Sequence, residues 1–267
     1  MSDARPNKAD MPVVILCGGQ GTRLREETEY RPKPMVEIGG MPILWHIMKI
    51  YSQHGFRKFI LCLGYKGWVI KQYFLRFHEM MQDFTVGMDG SPPEFHNSVG
   101  LEDWRITCAE TGELTGTGGR LWRVQDYIDS DTFCFTYGDA VGNVDIDKLL
   151  DYHYAKDRVA TVTGVHPTSR YGEMQVEDGL AVEFNEKPTV AEGFVSGGFF
   201  VFQKKVFDYL NDDPPLLLEI EPLRDMARDD QLAVYPHEDY WHPMDTFRDY
   251  LHLNEVWKSG KIPWKTW

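Results

Sequence analysis

Apolar residues fall along this chain in short continuous runs separated by stretches where they recur every three or four positions. Val13-Val14-Ile15-Leu16-Cys17, Phe59–Leu63 and Phe133–Tyr137 are runs of strand length, apolar on both faces, and they predict buried strands. Between the first two, Pro42 can open a helix in which Ile43, Leu44, Ile47, Met48 and Tyr51 share one face, with Gly55 as its stop. Residues 66–78 place Val69, Ile70, Tyr73, Phe74 and Phe77 on one helical face, and residues 121–128 predict a short helix. This alternation is the pattern of a parallel α/β sheet. Residues 84–110 are less regular, with a turn at Ser91-Pro92-Pro93. Further on, strands are expected at 159–165, 174–176 and 194–202, and helices at 206–210, 223–227 and 246–257. The expectation is α/β: an open, mostly parallel sheet flanked by helices, with an elaborated mixed α/β C-terminal portion. Residues 11–267 read as a single domain. Residues 1–10, MSDARPNKAD, are polar and patternless and read as a disordered extension.

The first strand runs into Gly18-Gly19-Gln20-Gly21-Thr22-Arg23, a glycine-rich turn that ends in a hydroxyl and a guanidinium. Glycines at a strand end let backbone amides approach an anion closely. Ten residues beyond Arg23, Lys33 stands between Pro32 and Pro34, which predicts a cation on a stiff, extended segment. Amides, a guanidinium fork and an ammonium are the parts that phosphate binding needs. The turn lacks the Gly-Lys-Ser/Thr ending of a P-loop, and Leu24 stands where the dinucleotide fingerprint has its last glycine.

Composition sharpens this. A chain of 267 residues can bury a sizeable core, and its net charge of −13 argues against nucleic acid or an anionic membrane as partner. An anionic substrate therefore needs local cations. The four cysteines, Cys17, Cys62, Cys108 and Cys134, show no ligand spacing and read as small buried hydrophobes. Reduced thiols without a signal peptide point to the cytoplasm.

Asp139 follows the strand Phe133–Tyr137, where open α/β sheets place their ligands. Asp245 precedes a helical pattern. Alone, each reads as a turn or N-cap aspartate. Asp145-Ile146-Asp147 spells the DxD of metal-dependent glycosyltransferases, but it stands at the start of a helical pattern, where a capping role is preferred. His46, His54 and His153 lack metal spacing and read as structural, as do the aromatics Tyr240, Trp241, Trp257, Trp264 and Trp267.

GGQGTRL followed by PKPM resembles the signature of the sugar-1-phosphate nucleotidyltransferases, which join a nucleoside triphosphate to a sugar 1-phosphate and release pyrophosphate. The resemblance implies the Rossmann-like nucleotide-diphospho-sugar transferase fold. It also implies Mg²⁺ on Asp139 and Asp245, a nucleotide on Leu16, Gly18, Gly19, Gly21, Thr22 and Asp139, and a triphosphate held by Arg23 and Lys33. Thr111–Arg120 reads on its own as a glycine- and threonine-rich loop, and in the family the positions of Thr117, Gly118 and Gly119 lie at the base. Tyr171, Gly172, Glu186, Lys187, Ser196 and Gly197 match positions that bind the sugar phosphate, with Lys187 also at the reacting phosphates. TG…TGGR, with PILWHIMKIYSQHG, GYKG, SGGFF, PMDTFRD and PWKTW, is similar to the members that use CTP and glucose 1-phosphate. Those members carry asparagine where this chain has Ser196, a departure that bears on the sugar. The resemblance also implies a homo-oligomer, a hexamer. The alternatives are thymidylyl or uridylyl transfer, a different sugar 1-phosphate, and a catalytically silent nucleotide-sugar sensor.

Overall fold

Seven strands form one sheet. They are β1 (Pro12–Leu16), β2 (Lys58–Leu63), β3 (Arg105–Glu110), β4 (Thr132–Tyr137), β5 (Ala160–Val165), β6 (Val195–Gln203) and β7 (Leu232–His237). The computed structural model describes residues 6–96, 102–166, 173–177, 180–185 and 193–267. The strand order is β7-β5-β6-β4-β1-β2-β3, and β6 alone runs antiparallel to its neighbours. Alternate residues of β1 serve opposite faces. Val13 and Ile15 join one buried cluster, while Val14 and Leu16 join the other.

Helices α1 (Ile43–Gln53), α2 (Gly67–Leu75), α4 (Ile146–Lys156) and α6 (Phe247–Lys258) contribute buried residues to the first cluster. Helices α3 (Thr117–Arg123) and α5 (Glu221–Arg228) contribute to the second. The architecture is therefore three layers, as the alternating pattern predicted. Trp264 is fully buried, and its indole donates to His46 at 3.4 Å, so the closing PWKTW packs into the body.

Several elements depart from the sequence reading. Arg105–Glu110, inside the stretch read as irregular, is the edge strand beside β2. The helix expected at residue 121 begins at Thr117, so the glycine-rich segment supplies its first turn. The helix expected over 66–78 ends at Leu75, and a separate short helix covers Phe77–Met81. Lys33 opens a single 3-10 turn, Lys33–Met35, rather than lying extended. Its proline is tolerated because a first-turn residue needs no amide partner. Residues 7–10 form a turn from which Lys8 reaches Asp147 at 2.6 Å.

Two buried histidines make a pH prediction. Burial pushes the imidazoles of His46 and His153 down to about 4. The unfolded chain titrates near the ordinary histidine value of about 6.5, so between the two values it binds more protons than the folded chain. Stability should fall as pH drops from about 6.5 towards 4, before ordinary carboxylates protonate. Urea midpoints at pH 7 and 4.5 check this, and His153→Gln should reduce the difference. Equal midpoints would refute it.

Candidate active site

The chain moves outward in one direction from β1 through β2 to β3, then returns to place β4 on the other side of β1. The carboxyl ends of β1 and β4 thus flank a topological switch point, where open α/β sheets form their ligand crevice. A cleft of about 670 Å³ opens there. Its lining includes Leu16 and Gly18–Arg23 from the end of β1, and Tyr137, Gly138 and Asp139 from the end of β4. Lys33, Asp245, the 113–117 segment, Arg120, Pro215 and Leu217 also line it. Gly21, with φ 63°, turns the chain from the glycine loop into the short helical segment that carries Arg23.

Asp139 and Asp245 are brought together by a narrow antiparallel ribbon in which Ala140–Gly142 pairs with Trp241–Pro243. The Met244 amide continues the pairing by donating to the Asp139 carbonyl at 2.8 Å. Both carboxylates then converge on the Lys33 ammonium, Asp139 Oδ2 at 2.7 Å and Asp245 Oδ1 at 2.8 Å. Arg23 Nη1 lies 3.3 Å from the other Asp245 oxygen. Burial alone would push Lys33 down, but the two carboxylates more than offset it and its pKa is raised. The result is a cleft with two hard-oxygen groups and two cations at one end.

The other end is built around Arg120, a buried guanidinium absent from the expected site residues. Its Nη1 donates to Leu63 O at 3.0 Å and Thr111 Oγ1 at 2.7 Å; its Nη2 donates to Gly18 O and Glu113 O, each at 3.1 Å. Burial lowers its pKa, and these oxygens satisfy its fork. A Cβ at position 18 would lie 2.0 Å from Arg120 Nη1, so any larger residue there would displace the guanidinium from its four acceptors. The arginine of TGGR was the available signal for this residue.

A segment spanning residues 213–219 packs over the first turn of α3. Leu216 O accepts from the Gly118 and Gly119 amides at 3.0 and 3.2 Å, and Pro214 O accepts from Gly116. Of the three residues expected at the base, Thr117 therefore lines the cleft, while Gly118 and Gly119 are buried beneath this segment. Thr117 Oγ1 donates to Glu219 at 2.6 Å, and the Tyr137 hydroxyl donates to the other oxygen of the same carboxylate. No sequence signal marked Glu219.

Ser196 and Gly197 lie at the start of β6, outside the described lining of the cleft. Ser196 is exposed, and Gly197 O accepts from Trp241 Nε1 at 2.8 Å. Tyr171, Gly172, Glu186 and Lys187 lie outside the described residues. Asp145 accepts from the Lys148 amide at 3.1 Å as the N-cap of α4, and Asp147 pairs with His54 and Lys8. Neither aspartate lines the cleft.

The model of the nucleotidyl transferase family matches residues 12–259. The chain belongs to that family. Among the relatives of this nucleotidyl transferase is the glucose-1-phosphate cytidylyltransferase of Salmonella typhi, 46% identical over 258 residues, which cover 96% of this chain and all of that protein. A probable glucose-1-phosphate cytidylyltransferase of Bacillus subtilis is 47% identical over 257 residues, with the same coverage of both chains. The crystal structure of a putative glucose-1-phosphate thymidylyltransferase from Bacillus anthracis, in complex with a sucrose, superposes with a TM-score of 0.67. At 19% identity, covering 92% of this nucleotidyl transferase and 94% of that chain, it speaks for the fold alone.

Proposed function

We propose that this cleft transfers the cytidylyl group of CTP to glucose 1-phosphate, giving CDP-glucose and pyrophosphate. The observation that carries the reading is the convergence of Asp139 and Asp245 on one cation beside the glycine loop of β1. The names of the full-length relatives support the choice of substrates.

A phosphate oxygen of the sugar 1-phosphate attacks the α-phosphorus of CTP. The bond from that phosphorus to the bridging oxygen breaks, and pyrophosphate departs with the electron pair. The nucleophile is already anionic, so positioning and charge stabilisation do the catalytic work. Arg23 and Lys33 hold the triphosphate; Lys187 serves the sugar phosphate and α-phosphate. Two carboxylates turned onto one cation fit a hard divalent ion that completes its shell with phosphate oxygens and water. Mg²⁺ held by Asp139 and Asp245 would offset charge on the reacting phosphates. The enzyme works in the cytoplasm as a homo-oligomer, a hexamer by the resemblance; its free thiols support that compartment.

Pyrophosphate release over CTP, UTP, dTTP, ATP and GTP, each with glucose 1-phosphate, tests the base. CTP should exceed UTP by about 10²-fold in kcat/KM, because cytosine and uracil exchange donors for acceptors. Equal use of UTP would reject the assignment. Ser196→Asn tests the sugar. It should raise the preference for glucose over galactose and mannose 1-phosphates, since the longer amide reaches further and presents donor and acceptor on separate atoms. Unchanged ratios would remove position 196 from sugar selection.

A further inference from the structure

The backbone around Asp245 is held from both sides. On its N-terminal side the ribbon ends in the Met244 amide bond to Asp139 O. On its C-terminal side stands Asp249, three positions after the N-cap Thr246 of α6. One oxygen of Asp249, Oδ2, accepts from the Thr246 amide at 2.8 Å, the Thr246 hydroxyl at 2.8 Å and the Asp245 amide at 3.1 Å. A capping box needs only the reciprocal pair between residues 246 and 249, and that pair is present. The bond to the Asp245 amide is additional. It fixes the residue whose carboxylate meets Lys33 and Arg23, at a point where the ribbon has already ended. The Asp249 side chain is mostly buried, and its other oxygen lies 3.5 Å from His242 Nε2, on the ribbon strand that leads to Asp245.

We infer that Asp249 is a positioning residue for the metal site, aiming the Asp245 carboxylate through its backbone amide. This rests on the reading of Asp139 and Asp245 as metal ligands. A ligand displaced by a fraction of an ångström weakens both ion binding and transition-state stabilisation, because either depends on geometry fixed beforehand.

The test separates positioning from helix capping. Thr246→Ala removes the capping hydroxyl of α6 but leaves the Asp249 bond to the Asp245 amide. Asp249→Ala removes the bond to the Asp245 amide together with the carboxylate half of the capping box, while its own amide can still donate to Thr246 Oγ1. Asp249→Asn keeps an acceptor oxygen. Binding of Mn²⁺ to the nucleotide-free protein is measured by loss of its free EPR signal, so that neither turnover nor chelation of the ion by CTP enters the readout. Asp249→Ala should weaken Mn²⁺ binding about tenfold or more. Asp249→Asn should restore most of that affinity, and Thr246→Ala should stay within about twofold of the parent although its thermal midpoint falls. If Asp249→Ala and Thr246→Ala bind Mn²⁺ equally, Asp249 only caps the helix. Asp245→Asn serves as the reference: if it binds Mn²⁺ like the parent, the metal reading itself fails. If it binds weakly while Asp249→Ala binds normally, the reading stands and the positioning role is lost. A folded Asp249→Ala is verified by its circular dichroism; should it fail to fold, Asp249→Asn against Asp249→Glu, which retains the charge but shifts the oxygen, supplies the same comparison.

Discussion

Asp139→Asn and Asp245→Asn should each lower kcat by about 10²-fold or more while the protein stays folded. An amide is a neutral and poorer ligand for a hard cation, so charge compensation at the reacting phosphates is lost. The fold persists because each variant leaves the Lys33 ammonium one carboxylate and one amide oxygen as acceptors. Asp145→Asn is the control, since Asp145 caps α4 and stands apart from the cleft. It should cost a few tenths of a kcal/mol to about 1 kcal/mol in stability and leave kcat nearly unchanged. Steady-state kinetics at saturating CTP and glucose 1-phosphate, with thermal midpoints alongside, provide the check. An inactive Asp145→Asn beside an active Asp139→Asn would move the site to the helix N-terminus.

Lys33→Met should produce an effect of similar size by a different route. The ammonium lies between the two carboxylates and is nearly buried, with its side chain 11% exposed. Its removal takes a cation from the triphosphate and should reduce kcat/KM for CTP by about 10²-fold. It also leaves two carboxylates facing each other without the charge that holds them, which raises their demand for another cation. Mn²⁺ should therefore bind free Lys33→Met at least about tenfold more tightly than the parent when no nucleotide is present, and should raise its thermal midpoint more. Titration of Mn²⁺ by EPR into both proteins decides the matter. Equal affinity would mean that Lys33 does not compete with metal for Asp139 and Asp245.

The sheet was legible where the sequence carries continuous apolar runs, as in Val13–Cys17 and Phe59–Leu63, or one broken only by Thr136, as in Phe133–Tyr137, because these strands are buried on both faces. Edge strands carry no such signal. Arg105–Glu110 mixes a single buried alanine with exposed charge, so its pattern resembles a loop. The first turn of α3 contains two glycines, which local propensity counts against a helix. It forms because Leu216 O, almost a hundred residues later, accepts two of its amides, and nothing local announces that partner.

The phosphate end of the site was readable because glycine loop, cation and strand-end aspartate are local features, and family resemblance joined Asp245 to them. The ribbon that brings Asp245 to Asp139 was not, since its strands are only three residues long. Arg120 and Glu219 were missed for a related reason, since each acts through backbone or hydroxyl contacts made by tertiary packing. Asp249 was missed because its contacts, three and four positions back, read as ordinary helix capping. Their chemistry becomes visible only when the oxygen or amide they hold is in place.

Phosphorus NMR of the protein with CTP, glucose 1-phosphate and Mg²⁺ tests the central claim most directly. The account predicts paired diphosphate resonances of CDP-glucose growing in equal amount with inorganic pyrophosphate, and their loss when pyrophosphate is added in excess. Orthophosphate or CMP without a nucleotide sugar, or unchanged substrates at an enzyme concentration comparable to CTP, would contradict it.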